Sequence, residues 1–193
     1  QRISITPEIA KKYINLGFEV SLIENYGLHL GYSNNQYKEL GVNIVKDEKE
    51  LVNNSDIIVQ LGLLSDDKIS IVREKQTLIG IFNPYKNKYK IKNLSKKNIN
   101  IFSLELLPRI TRAQSMDVLS SQANLAGYKA VIDSFSNFKK AIPMMMTAAG
   151  TIPPAKVLVV GAGVAGLQAI ATAKRMGAIV FATDVRSASK EQV

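Results

Sequence analysis

Short apolar segments alternate with amphipathic segments along the first hundred residues. The apolar runs are FEVSLI (18–23), VNIV (42–45), DIIVQL (56–61), TLIGIF (77–82) and NINIFSL (98–104). Between the later runs, the spacing predicts helices near 47–53, 66–75 and 85–96. Strands that alternate with helices of about ten residues are typical of βαβ units and a parallel sheet covered on both faces. The pattern therefore predicts an α/β lobe.

Helix boundaries near the start of the chain are marked by capping residues. Thr6 is suited to the N-cap, Pro7 to the first helical position and Gly17 to the C-terminal stop. A second helix is predicted from Ser33 to Gly41. Because this alternation begins on a helix, we expect that an opening strand precedes it and that the chain is a fragment.

Residues 112–138 contain no proline and predict one long helix. One side is a polar stripe, and the opposite side carries small and apolar residues that permit close backbone approach. The stripe consists of Gln114, Asp117, Ser121, Asn124 and Tyr128, and the other side of Met116, Leu119, Ala123, Ala126, Gly127 and Ala130. The stripe could line a cleft or face solvent. Residues 141–156 predict a short helix and a stiff connector, with the methionines at 144–146 in a core or on a helix face.

The strongest motif begins where the apolar strand KVLVV (156–160) runs into the glycine-rich sequence GAGVAG. A helix and a second strand follow, which is the context of a dinucleotide-binding fingerprint. Gly161 permits the tight turn, Gly163 the approach of the pyrophosphate, and Gly166 close helix–strand packing. The predicted cofactor-binding residues are Gly161, Ala162, Gly163, Val164, Ala165, Gly166, Asp184, Val185 and Arg186.

Asp184 ends the second strand of this unit, where a carboxylate accepts hydrogen bonds from the adenosine ribose hydroxyls. It would repel a 2′-phosphate, so the sequence predicts NAD(H) rather than NADP(H). Arg186 lies close enough to leave that preference open.

Composition narrows the possible chemistry. The chain lacks cysteine and has one histidine, His29, which excludes a disulfide scaffold and a thiolate metal site and leaves little room for a His-based metal site or triad. We expect no metal. The net charge is +9, but six lysines fall within 86–97. We interpret them as a solvated helix face rather than a nucleic-acid patch, in which Tyr85 and Tyr89 would be the stacking groups. No apolar run is long enough to span a bilayer.

The segment PRITRAQSMDVLSSQANLAGYKAVI (108–132) closely resembles the NAD(H)-binding component, or alpha subunit, of proton-translocating NAD(P)+ transhydrogenases. The segment 147–180, RISITPE near the start and KEQV at the end resemble the same family. The resemblance implies two Rossmann-like lobes with parallel sheets joined by a long helix, in a chain truncated at both ends. We expect the first lobe over 1–122 and the start of the NAD(H)-binding lobe over 123–193.

The resemblance also implies roles for four residues at the nicotinamide end of the cofactor. Arg109 and Ser120 would contact the carboxamide or its surroundings. Asp117 would orient Arg109, and Gln114 would lie near the nicotinamide ribose and the partner's nucleotide. No general acid or base is expected, because hydride passes directly between two nicotinamide rings.

The partners implied are an NADP(H)-binding domain, which carries NADP(H) instead of this chain, and a proton-translocating membrane domain. The chain would form a homodimer at the cytoplasmic side of the inner membrane, and we expect no nucleic-acid partner. The related alanine dehydrogenases are the alternative. They use a lysine after the strand that here reads IIVQLG and a histidine after the strand that reads IGIFNP. Gln60 and Asn83 stand near those places, which favours the transhydrogenase.

Overall fold

Parallel strands and helices alternate through the chain, as the apolar pattern predicts. A computed structural model describes residues 2–193. These residues form two compact units, the first ending at Ala113 and the second spanning Gln114–Val193. The first unit contains α1 (Pro7–Asn15), β1 (Ser21–Ile23), α2 (Asn34–Glu39), β2 (Asn43–Val45), α3 (Glu48–Asn54), β3 (Ile57–Gln60), α4 (Asp66–Ile71), β4 (Thr77–Gly80), α5 (Lys88–Ser95) and β5 (Asn100–Ser103). The predicted α/β class is confirmed.

The strands of the first unit form two sheets, and the pairing within each sheet is parallel. β1 pairs with β2, and β3, β4 and β5 form a three-stranded sheet in chain order. Apolar side chains from both sheets and their helices form two buried clusters. The first comprises Val52, Ile58, Leu64, Val72, Leu78, Phe82 and Leu94, and the second Ile5, Ala10, Val20, Leu22, Tyr37 and Val42.

The polar group of the second cluster is satisfied within the core. Tyr37 is almost fully buried, and its hydroxyl donates to the carbonyl of Ile5 at 2.9 Å. Burial, with smaller contributions from Tyr26 and Tyr32, raises the pKa of Tyr37 to about 12. The hydroxyl is therefore a permanent donor in neutral solution.

The predicted ends of α1 and α2 are confirmed, whereas the helix predicted over 66–75 ends at Ile71. Thr6 accepts a hydrogen bond from the N–H of Ile9, and the chain leaves α1 through Gly17, whose φ of 89° favours glycine. At α2, Ser33 and Gln36 form a reciprocal capping box.

The lysine-rich segment forms α5 and its flanks. Lys97 donates to the carbonyls of Ile69 and Ser70 at 2.9 and 2.8 Å, and Lys90 pairs with Asp66 at 2.8 Å. Lys97 thus satisfies carbonyls at the end of α4, where a cation also suits the helix dipole, and Lys90 pairs with the first residue of the same helix. The remaining ones are exposed, namely Lys86, Lys88, Lys92 and Lys96.

The second unit contains α6 (Val118–Asn137), β6 (Met145–Thr147), β7 (Gly150–Ile152), β8 (Lys156–Val160), α7 (Val164–Arg175) and β9 (Ile179–Thr183). β8 and β9 are parallel, whereas β6 and β7 form an antiparallel hairpin. The predicted lobe boundary after residue 122 falls inside α6. None of the helices in residues 2–193 is long and apolar enough to cross a membrane.

Two predictions for this unit are wrong. The long helix begins at Val118 instead of residue 112, because Asp117 caps it, and residues 111–116 form a 3-10 helix. Residues 145–152 form a hairpin instead of a helix, since the chain turns at residues 148–149 before Gly150, whose φ is 136°. The methionines at 144–146 are consequently exposed and fill no core in the described structure.

Candidate nucleotide-binding site

The fingerprint loop follows β8, whose carboxyl end lies directly beside that of the parallel strand β9. β8 and β9 are in register from Lys156 opposite Ile179 to Val160 opposite Thr183. The N–H of Gly161 continues this pairing by donating to the carbonyl of Thr183 at 2.7 Å. The register therefore brings the glycine loop beside Asp184, which follows directly after β9.

Each glycine of the fingerprint has a distinct local environment. Gly161 has a φ of 98°, which side-chain-bearing residues rarely adopt. A Cβ on Gly166 would lie 1.8 Å from the carbonyl oxygen of Gly161, so only glycine lets α7 pack this closely on the loop. A Cβ on Gly163 would meet no atom within 4 Å, so this position faces open space.

The open space at Gly163 lies at the start of α7. Thr6, Ser33, Asp47 and Asp117 cap α1, α2, α3 and α6 with their side chains. Gly163 has no side chain that could cap α7, so its first-turn N–H groups are presented to whatever occupies that space. These donors and the positive end of the helix dipole suit a phosphate. Val164 and Ala165 form this first turn, and Ala162 is buried behind it.

Asp184 is held against the glycine loop. Its Oδ2 accepts a hydrogen bond from the N–H of Ala162 at 2.7 Å, and its side chain is 10% exposed. Hydrogen bonds from the Arg186 side chain, and then from the backbone N–H groups of Arg186 and Ala162, hold the pKa of Asp184 well below its usual range. The carboxylate is therefore ionised at neutral pH.

Arg186 forms a two-pronged ion pair with this carboxylate. Its Nε donates to Oδ1 at 3.0 Å and its Nη2 to Oδ2 at 3.1 Å, while its own backbone N–H donates to Oδ1 at 2.8 Å. Val185, between the two, is fully exposed. The loop after β9 thus presents a carboxylate, a guanidinium and an apolar side chain beside the fingerprint.

At the start of α6, the structure brings together two of the residues predicted for the nicotinamide end. Asp117 accepts hydrogen bonds from the backbone N–H of Ser120 at 3.0 Å and from its hydroxyl at 2.6 Å. Both residues are partly buried. Gln114 is exposed in the 3-10 helix that precedes them. Arg109 lies in the first unit and is exposed, and its pairing with Asp117 stays a prediction.

Helix α6 also contacts the fingerprint directly. A Cβ on Gly127 would lie 2.0 Å from the carbonyl oxygen of Ala165, so the two helices cross backbone to backbone, as the small residues predict. Beside the crossing, Asn124 donates to the Gln168 side chain at 3.1 Å. The sequence reasoning missed Gln168, although a polar position on a mostly apolar helix is a signal for a partner in the polar stripe.

Gln60 and Asn83, near which the resemblance would place the substrate groups of an alanine dehydrogenase, make local hydrogen bonds here. Gln60 ends β3 and its amide donates to the carbonyl of Gly62. Asn83, after β4, donates its backbone N–H to Glu105 at 2.6 Å, and Ser103 donates to the same carboxylate at 2.5 Å. Burial alone would raise the pKa of Glu105, but these hydrogen bonds hold it below its ordinary value. The ionised carboxylate of Glu105 therefore ties the loop after β4 to the residues that follow β5.

Two family models match the chain in succession. The model described as alanine dehydrogenase/PNT, N-terminal domain, matches residues 1–126, and the model described as alanine dehydrogenase/PNT, C-terminal domain, matches residues 130–193. The chain belongs to the alanine dehydrogenase/PNT family.

Within the alanine dehydrogenase/PNT family, the chain is most usefully compared with individual transhydrogenases. It is 47% identical over its whole length to an NAD(P) transhydrogenase alpha subunit from Rhodospirillum rubrum, of which it covers 51%. The crystal structure of a transhydrogenase from Sinorhizobium meliloti matches 97% of the chain with a TM-score of 0.91 and 49% identity, over 54% of that structure. These matches confirm the resemblance to transhydrogenases.

The structure of an L-alanine dehydrogenase matches 98% of the chain over 53% of its own length, with a TM-score of 0.80. The two sequences are only 17% identical, so this match shows a shared fold alone. The chain spans about half the length of the curated relatives it matches.

Proposed function

We propose that this chain is part of the NAD(H)-binding component of a proton-translocating transhydrogenase. The observation that carries the proposal is the open, uncapped start of α7 at Gly163 beside the ionised Asp184. The identity to transhydrogenase subunits, against the fold-only likeness to an alanine dehydrogenase, supports transhydrogenase activity over alanine dehydrogenase activity.

The open space at Gly163 and the ionised Asp184 are the two features that a dinucleotide would use in this unit. The pyrophosphate would take the space in front of Gly163, with the N–H groups of the first α7 turn as donors. Asp184 would accept hydrogen bonds from the adenosine ribose hydroxyls, since a carboxylate is an acceptor only. This arrangement supports NAD(H) on this chain, with NADP(H) on a partner domain.

The nicotinamide end would be bound through the start of α6. Asp117 and Ser120 already pair with one another, which fixes both polar groups before a ligand arrives. Asp117 lies ten residues before Gly127, about 15 Å along a helix that rises 1.5 Å per residue. One rigid helix would thus support both ends of the cofactor. We assign Arg109 and Gln114 to the same end, Arg109 to orient the carboxamide and Gln114 to face the partner's nucleotide.

The bound nicotinamide supplies the hydride chemistry, and the protein supplies orientation and proximity. None of the assigned side chains has to donate or remove a proton in the transfer itself. Hydride would pass between this chain's NAD(H) and NADP(H) on a separate domain. Within the complex, the chain would act as a homodimer on the cytoplasmic side of the inner membrane, coupled to proton movement through the membrane domain.

Replacing Asp184 with alanine should weaken NADH binding roughly 5- to 150-fold, the range for removing the partner of a buried polar group. The ribose hydroxyls would lose their acceptor, and the Ala162 N–H would lose the bond that it donates at 2.7 Å. Titration of NADH fluorescence measures the dissociation constant. An unchanged value would mean that the ribose binds elsewhere.

Replacing Arg109 with alanine should lower the rate of hydride transfer more than the affinity for NADH, because an orienting group acts on the reacting geometry. Transient kinetics would give the transfer rate, and fluorescence the affinity. Arg112→Ala removes the same charge from another exposed position nearby and serves as the control. Equal losses of rate and affinity in Arg109→Ala would show that Arg109 only binds.

The proposal itself is tested with the full-length protein and its NADP(H)-binding partner. The mixture should catalyse hydride transfer between NADH and an oxidised NADP analogue, and the protein alone should not oxidise L-alanine with NAD+. Alanine oxidation without a partner would instead establish the alanine dehydrogenase activity. Absence of transhydrogenation with a folded partner would refute the proposal.

A further inference from the structure

The carboxylate of Asp184 has no acceptor capacity left for a ligand. It accepts four hydrogen bonds, from the N–H of Ala162 and from the N–H, Nε and Nη2 of Arg186. An ionised carboxylate has about four lone-pair sites. Ribose hydroxyls can therefore reach Asp184 only if existing donors leave.

Only the guanidinium donors can leave without disturbing the loop. The N–H groups of Ala162 and Arg186 belong to the backbone that follows β8 and β9. The Arg186 side chain, in contrast, is 60% exposed and can rotate into solvent. Two ribose hydroxyls would replace Nε and Nη2, one donor for one donor. The freed guanidinium then remains beside the ribose.

We propose that Arg186 is a latent binding group for a 2′-phosphate, which its ion pair with Asp184 withholds, so that the pair excludes NADP(H) from this site. The inference rests on the proposed function, since it assumes that the ribose binds at Asp184. A guanidinium presents a rigid fork of donors that matches phosphate geometry. Beside an ionised Asp184, a phosphate would meet a like charge and a guanidinium that is already paired.

The chain therefore carries an NADP(H)-binding group at its ribose site and suppresses it with a neighbouring carboxylate. The alternative is that Asp184 repels the 2′-phosphate by charge alone and Arg186 contributes nothing. The two explanations differ once the carboxylate is neutralised. If Arg186 is the latent group, the gain in NADPH affinity needs Arg186, whereas relief of simple repulsion does not.

The test uses Asp184→Asn in the full-length protein, with NADH and NADPH titrated by fluorescence. Asparagine retains an oxygen for the Ala162 N–H but has no charge to hold the guanidinium. NADPH affinity should rise about 10- to 100-fold, the range for a new charge-assisted hydrogen-bonded pair. The double variant Asp184→Asn/Arg186→Ala should lose this gain. The matched control Asp184→Asn/Arg175→Ala, which removes an exposed arginine at the end of α7, should keep it.

Equal NADPH affinity of Asp184→Asn and Asp184→Asn/Arg186→Ala would overturn the inference, and so would a folded Asp184→Asn protein without any gain. Circular dichroism establishes folding. Should the asparagine variants not fold, Arg186→Ala tests the pairing on which the inference rests: NADH should bind about two- to fivefold more tightly, since no exposed ion pair has to break first. Affinity no tighter than that of the unmodified protein would refute the pairing. Failure of the unmodified protein to bind NADH would instead refute the proposed function.

Discussion

The Gly163→Ala variant should lose NADH affinity by about 100-fold or more while the second unit stays folded. The added Cβ meets no protein atom within 4 Å, and the backbone at this position is extended, so the fold has no reason to change. The same Cβ would occupy the space in which the pyrophosphate approaches the first turn of α7. Loss of charge-assisted hydrogen bonds to the phosphates accounts for the magnitude.

A matched substitution separates the effect on binding from a general effect of alanine. Gly62 also faces open space and lies in a loop of the first unit, so Gly62→Ala should leave NADH affinity unchanged. Equilibrium titration of both variants gives the comparison. NADH binding by Gly163→Ala at the affinity of the unmodified protein would show that the pyrophosphate does not lie at this glycine.

The second large effect is expected three residues further on and concerns stability. In Gly166→Ala, the new Cβ would lie 1.8 Å from the carbonyl oxygen of Gly161 and 2.8 Å from its carbon. Both atoms are backbone, so α7 or the loop must move away from the β8–β9 pair. Overpacking of this kind typically costs about 1–3 kcal/mol and occasionally more, and we expect the upper end.

Denaturant unfolding would measure the loss, with Gly163→Ala as the reference. Both variants add a methyl group to a glycine of the fingerprint, and only the one at Gly166, inside the first turn of α7, meets backbone atoms. Equal unfolding free energies would contradict the close contact between Gly166 and Gly161.

Sequence patterns predict the strands and helices of the first unit more accurately than the start of α6 and the hairpin at 145–152. The apolar runs and the caps at Thr6 and Ser33 predicted the strands and helices of the first unit, since burial and capping are local to each element. The predicted start of α6 is too early, because the pattern of small and polar residues continues upstream of Asp117. The side chain of Asp117 caps the helix and so makes it begin at Val118. The hairpin at 145–152 was missed, since Ala148 and Ala149 are weak turn residues and the methionines favour a helix.

The candidate site shows the same division. The fingerprint predicted the glycine loop and its position after β8, because each glycine has a task that spacing reveals. The ion pair between Asp184 and Arg186 was not predicted, since the spacing of two residues does not state where a flexible arginine side chain lies. The contact between Asn124 and Gln168 joins positions far apart in the chain, and only the packing of α6 on α7 brings them together.

The backbone contact between Gly127 and Ala165 has a geometric consequence for the whole site. No side chain lies between the two helices at this point, so the contact fixes the angular position of α6 relative to the glycine loop. Successive residues of a helix are turned by about 100°. Inserting or deleting one residue between Ser120 and Gly127 would therefore turn Asp117 and Ser120 about a quarter of a circle away from their present direction. The number of residues between Asp117 and Gly127 therefore determines both the distance of Asp117 and Ser120 from the glycine loop and the direction in which they lie.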